Sequence, residues 1–241
     1  MSTDSSLNNY QYDYFSIPKQ GKKTNEDSLM LPFLHHDGIY FAIADGVGGN
    51  GNGDIASKLA IDICKKILSS SIHISMHALL ENIWNEYIEY LRPRRKYINA
   101  ATTLTICKIC DQNMTIGHIG DCRVYILKNK HISKITNDHT LSNVINVHEL
   151  KKYKHNFDNI ITSSLSYNNK YTADVIQRTL QPESIIIICS DGVYKTFSDR
   201  TILSFFPDYK KAKDGFENMK KQIKSLTLKD DCTMIFLADN P

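Results

Sequence analysis

Ile39-Tyr40-Phe41-Ala42-Ile43-Ala44-Asp45-Gly46-Val47-Gly48-Gly49 runs from a nearly all-apolar stretch straight into a carboxylate and a glycine-rich turn. A short apolar run bounded by turn signals predicts a buried, central strand over residues 39–45. Upstream, residues 10–17 and 27–34 read as two further strands, since aromatic and branched residues dominate runs closed by Pro, Asn or His-Asp turns. Downstream the period changes. Ile55, Leu59, Ile63 and Ile67 recur every four residues with Ala56, Ala60 and Cys64 beside them, which predicts a helix over 54–68 laying one stripe on a core, capped by Asn52 or Asp54. A second helix follows at 76–91, with Trp84 on its apolar side and Pro93 ending it.

The strand period returns at 102–109, 113–119, 122–128 and 131–135, where Asp111-Gln112, Gly120-Asp121 and Asn129-Lys130 supply the turns of an antiparallel meander. Residues 140–170 are polar and patternless apart from a short helical pattern at 141–153, and loops of that length in compact domains are commonly functional. Strands near 173–180 and 185–190, helical patterns at 198–206 and 214–226, and a last strand over 232–238 complete the chain. Strands and helices are thus segregated, which points to an α+β fold of packed antiparallel sheets flanked by helices.

Composition narrows the function. With 41% hydrophobic and 23% charged residues among 241, and no Pro/Gly/Ser-rich linker, residues 1–241 are expected to form one domain. The 29 basic and 26 acidic residues leave a net charge of +3, too balanced to imply a nucleic-acid or membrane surface. Arg92, Arg94, Arg95 and Lys96 read as a solvated loop around Pro93. The first thirty residues hold no apolar segment of signal type, and residue 2 is Ser, so a cytoplasmic protein with reduced thiols is expected. Cys107 and Cys110 form a CxxC, but on a strand residues three apart face opposite ways, which argues against a shared metal.

Four acidic residues stand at strand ends: Asp27, Asp45, Asp191 and Asp230. Each alone could be a turn or cap residue. Together they invite another reading, because carboxylates at buried strand tips are costly unless solvated, paired or bound to a metal. Converging carboxylates need cations, and an all-oxygen donor set suits Mg²⁺ or Mn²⁺ better than zinc. Asp45-Gly46 and Asp191-Gly192 both follow apolar strands, where Gly permits a sharp turn and offers backbone groups to a ligand. The DGVGG loop lacks the GK[ST] ending of a phosphate loop and the spacing of a dinucleotide fingerprint.

Seven short motifs, in order, then resemble one family. They are Asn25-Glu26-Asp27-Ser28, Ala44-Asp45-Gly46-Val47-Gly48-Gly49, Ala101-Thr102-Thr103-Leu104, Gly117 through Gly120-Asp121-Cys122-Arg123, Thr136-Asn137-Asp138-His139, Cys189-Ser190-Asp191-Gly192 and Asp230-Asp231-Cys232-Thr233. Over residues 12–238 the chain resembles the PPM, or PP2C-like, metal-dependent protein serine/threonine phosphatases in their compact bacterial form. The resemblance implies a four-layer α/β/β/α sandwich of two antiparallel sheets flanked by helix pairs. It also implies two Mn²⁺ or Mg²⁺ ions, with Asp45 bridging both, Gly46 offering its carbonyl, Asp191 and Asp230 completing the inner sphere and Asp27 acting through water. Asp121 would help hold a third, weaker ion, or else be a hairpin-turn Asp. Thr103 and Arg123 would support the sheet.

The reaction implied is hydrolysis of phosphoserine or phosphothreonine by direct attack of a metal-bridging water. The substrate would be a phosphorylated protein opposed by a cognate kinase, the enzyme a monomer, and residues 140–170 a flap beside the site. Three positions depart from the family pattern. Lys22 stands where an Arg usually grips phosphate, and is either a point-charge substitute or a surface lysine. Val47 replaces the His of animal members, and Asp231 replaces a usual Asn. A pseudophosphatase that only binds, and an enzyme acting on a small phosphoester, are the competing readings.

Overall fold

The computed structural model describes residues 9–47, 51–144 and 157–239. Chain order is β1 (Tyr10–Ile17), β2 (Asp27–His35), β3 (Gly38–Asp45), α1 (Gly53–Ser70), α2 (Met76–Leu91), β4 (Ala101–Thr102), β5 (Leu104–Cys110), β6 (Asn113–Ile119), β7 (Arg123–Lys128) and β8 (His131–Lys134). There follow α3 (Leu141–Val144), β9 (Leu165–Ser166), β10 (Asp174–Thr179), β11 (Ile185–Cys189), α4 (Asp191–Thr196), α5 (Asp199–Ser204), α6 (Ala212–Lys224) and β12 (Cys232–Asp239). Two five-stranded sheets run β1-β12-β11-β7-β8 and β10-β6-β5-β3-β2, every pairing antiparallel.

The apolar run of β3 explains the layering. Ile39, Phe41 and Ile43 point one way, into a core shared with Val124, Ile186, Ile188, Ile235 and Leu237 of the facing sheet. Tyr40, Ala42 and Ala44 point the other way, onto α1 and α2 through Ala56, Ala60, Cys64, Leu79 and Ile83. A strand covered on both faces cannot alternate apolar with polar residues, so β3 is continuous in character although it lies one in from the sheet edge. On the other side, Ile187, Met234 and Phe236 pack under Phe197, Ile202, Phe216, Met219 and Ile223 of the C-terminal helices. Helices, sheet, sheet, helices is the four-layer α+β sandwich. Phe41 is fully buried in it, where truncation to Ala would cost about 3–5 kcal/mol.

Three local expectations are corrected. The strand read over 102–109 divides at Thr103, because that residue turns to bond Asp45 while Ala101 and Thr102 pair with β9. Asp191-Gly192 does not make a bare turn but opens α4, since Gly192 lets the helix press on the backbone of Asp231. Asn52 stands at the N-cap position of α1 without a side-chain cap bond, whereas Ser75 caps α2 by accepting from the Ala78 amide at 3.2 Å. Of the helix expected at 141–153 and the flap at 140–170, residues 145–156 lie outside the described residues. Among the described residues no helix is long and apolar enough to cross a membrane.

Candidate metal centre

Antiparallel pairing brings the carboxylates to one edge of the sandwich. Asp27 begins β2 and Asp45 ends β3, and the two are direct partners in the register. Asp191 follows the end of β11, and Asp230 precedes the start of β12 beside it. Asp121 sits in the tight connection between β6 and β7, and β7 begins opposite the last residue of β11. One sheet therefore supplies Asp27 and Asp45, the other Asp191 and Asp230, with Asp121 on the strand connection between the sheets.

Backbone contacts hold Asp45 firmly. Its amide donates to Thr103 Oγ1 at 2.9 Å, and its carbonyl accepts from Thr103 N at 2.8 Å and from Thr102 Oγ1 at 2.9 Å. The side chain is left facing a groove of about 440 Å³ lined also by Gly46, Asp191, Asp230, Lys19 and Lys195. Gly46 is obligatory, because a Cβ there would lie 2.3 Å from the Gly53 carbonyl at the start of α1.

Electrostatics mark these groups as unbalanced. Burial, followed by the charges of Asp27 and Asp191, pushes the Asp45 carboxyl well above its usual range. Burial also lifts Asp27 to about 7 and Asp121 to about 6, and it raises Asp230, with Asp191 adding to the effect. Asp27 is 6% exposed and Asp121 2%. Asp27 Oδ2 accepts from Ser190 Oγ at 2.7 Å and Asp121 Oδ2 from Tyr194 Oη at 3.2 Å, yet Oδ1 of each is buried with no partner. Unpartnered buried carboxylate oxygens beside further carboxylates fit a hard divalent cation. Among the described residues no three His, Cys, Asp or Glu side chains are already gathered into a ligand set, so binding would draw these groups inward.

Asp231 is separated from its neighbour by geometry. Its two carboxylate oxygens accept from the amides of Lys19 at 2.7 Å and Glu26 at 2.6 Å, which ties the β1–β2 connection to β12. Both residues line the groove, but among the described residues Asp230 accepts only from the amide of Asp231, at 3.1 Å, and so keeps one carboxylate oxygen uncommitted. Lys22 is 45% exposed at its side chain and pairs at 3.4 Å with Glu26, which lines the groove. Arg123 grips Asp138 through Nε and Nη2, at 3.1 and 2.7 Å, and its guanidinium lies 3.6 Å from the Tyr194 ring centre. Lys195 was missed in the sequence. It ion-pairs with Asp191 four residues earlier, a spacing that would have been a signal had α4 been recognised.

A model of the protein phosphatase 2C family matches residues 19–228. The chain belongs to that family. Among its relatives, the serine/threonine phosphatase stp of Listeria monocytogenes is 26% identical over 168 residues, 63% of this chain and 65% of the relative. The chain thus spans a little under two thirds of that protein. The protein phosphatase PhpP of Streptococcus pneumoniae is 27% identical over 192 residues, 75% of this chain and 78% of the relative. The serine/threonine phosphatase Stp1 from Staphylococcus aureus superposes with a TM-score of 0.80 at 22% identity, over 96% of this chain and 95% of that one. The catalytic domain of the phosphatase PstP in complex with two manganese ions gives 0.76 at 22% identity, over 95% and 97%. The protein phosphatase 2C fold is therefore present along nearly the whole chain.

Proposed function

We propose that this protein is a serine/threonine phosphatase that hydrolyses phosphoserine and phosphothreonine in protein substrates with the help of Mn²⁺ or Mg²⁺. The observation that supports it is the meeting, at one edge of a protein phosphatase 2C fold, of five carboxylates, two of which, Asp27 and Asp121, keep a buried oxygen without a partner. Asp45, Gly46, Asp191 and Asp230 would hold two divalent ions, with Asp27 behind them acting through water. Asp121 would serve a third, weaker ion. The relative solved with two manganese ions is consistent with the first two ions.

Bound divalent ions supply positive charge for the phosphoryl group and lower the pKa of water they hold. The protein contributes the rest by position. Thr102 and Thr103 fix the Asp45 backbone, Ser190 orients Asp27, and Tyr194 orients Asp121. No side chain of the set needs to become covalently attached to phosphate.

A phosphorylated protein and an opposing kinase are the expected partners, with the phosphatase acting as a monomer. All six cysteines are unpaired, which supports a reducing compartment, the cytoplasm. The reading is tested by phosphate release from a phosphothreonine peptide with Mn²⁺, with Mg²⁺ and with EDTA. Metal-dependent release abolished by chelation is expected, and folded protein that releases none with either metal would overturn it.

A further inference from the structure

We propose that Lys195 is the cation that binds the substrate's phosphate in this protein, held on Asp191 until divalent ions take that carboxylate over. The identity of the ligand rests on the phosphatase reading above. Lys195 lies one turn beyond Asp191 on α4, and its Nζ donates to Asp191 Oδ2. It lines the groove that Asp45 and Asp230 share, and also an adjoining cleft of about 600 Å³ beside Arg123 and Lys134. Those two other cations are already committed, Arg123 bidentately to Asp138 and Lys134 to the same carboxylate at 3.3 Å. Lys22 is paired with Glu26.

Lys195 differs from all of these because its partner is itself a proposed ion ligand. A divalent ion on the Asp191 carboxylate repels the ammonium and outcompetes its single charge. The released side chain has a flexible four-carbon stem, and it stays beside the groove in which a phosphate would lie. Charge is thereby handed on in sequence, ammonium to carboxylate before loading and ammonium to phosphate afterwards. The site gains a mobile phosphate-binding cation without needing a planar fork at position 22.

Calorimetric titration of the whole chain tests this, first with MnCl₂ alone and then with inorganic phosphate added to the Mn²⁺-loaded protein. Lys195→Met is expected to bind Mn²⁺ several-fold more tightly, because Asp191 is no longer occupied, and phosphate about tenfold more weakly. Lys195→Arg should recover most of the phosphate affinity. Phosphate affinity within about twofold of the unmodified protein in Lys195→Met, or unchanged Mn²⁺ affinity, would overturn the proposal. So would a loss in Lys19→Met or Lys22→Met as large as that in Lys195→Met. If both binding results appear but the unmodified protein hydrolyses no phosphopeptide, the phosphatase reading fails and the Lys195 assignment stands.

Discussion

Ser190 donates its hydroxyl hydrogen to Asp27 Oδ2 at 2.7 Å across 163 residues of sequence, joining the end of β11 in one sheet to the start of β2 in the other. Ser190 Oγ in turn accepts from the Thr233 amide at 3.0 Å. Ser190→Ala would leave Asp27 with neither oxygen partnered and strand one buried amide. A loss of about 1–3 kcal/mol in urea denaturation is expected, and unchanged stability would show that the bond is dispensable.

Asp45→Asn and Asp191→Asn each remove charge from a repelling cluster as well as a proposed ion ligand. Metal-dependent phosphate release should vanish in both, while melting temperature in EDTA holds or rises. Near-normal turnover at saturating Mn²⁺ would refute the assignment of these two residues.

Asp230 and Asp231 are adjacent yet should behave oppositely. Asp230→Asn is expected to weaken Mn²⁺ binding strongly with little change in stability of the ion-free protein. Asp231→Asn presents an amide N–H₂ to one of two backbone donors, the amides of Lys19 and Glu26, and should cost about 1–3 kcal/mol of stability with Mn²⁺ affinity retained. Calorimetry and denaturation of the two variants would separate the roles, and the reverse pattern would exchange them.

Gly192 is closed to any side chain, since a Cβ there would stand 2.0 Å from the Asp231 carbonyl oxygen. Gly192→Ala must push α4 away from β12 and with it Asp191 and Lys195. Loss of several degrees in melting temperature together with weakened Mn²⁺ binding is expected; a variant with normal values of both would contradict this packing.

Ion removal should make stability sensitive to pH. Asp27 and Asp121 have folded values raised to about 7 and about 6 from the ordinary 3.8. Their protonated forms are favoured by folding, so their contribution is complete below about 4 and is lost as pH rises through 6 to 7. The rise in melting temperature on adding Mn²⁺ should therefore be larger at pH 7.5 than at pH 5.5. An equal increment at both would mean that these carboxylates do not face the ions.

Much of the architecture was legible along the chain. The apolar run 39–44 implied a buried strand, the four-residue spacing of Ile55, Leu59, Ile63 and Ile67 implied a helix, and the ordered motifs implied the sandwich. Asp45 and Asp191 stood out as candidates as well, because an Asp straight after an apolar strand is conspicuous in sequence. Such signals are local: they follow from the period of the backbone and from the cost of leaving a charge at a buried strand tip.

Tertiary structure decided what those residues face. Asp230 and Asp231 both line the groove, and which of them keeps a carboxylate oxygen free for an ion depends on which the Lys19 and Glu26 amides capture, some 205 to 212 residues away. Register alone sets Asp27 opposite Asp45, and the stacking of two sheets alone sets Ser190 against Asp27. Lys195 could be placed on Asp191 only once Gly192 was seen to let α4 begin at that carboxylate. Periodicity is written in neighbouring residues, whereas convergence on one point is written in strand pairing and packing between segments far apart in the chain, and only the folded molecule brings those together.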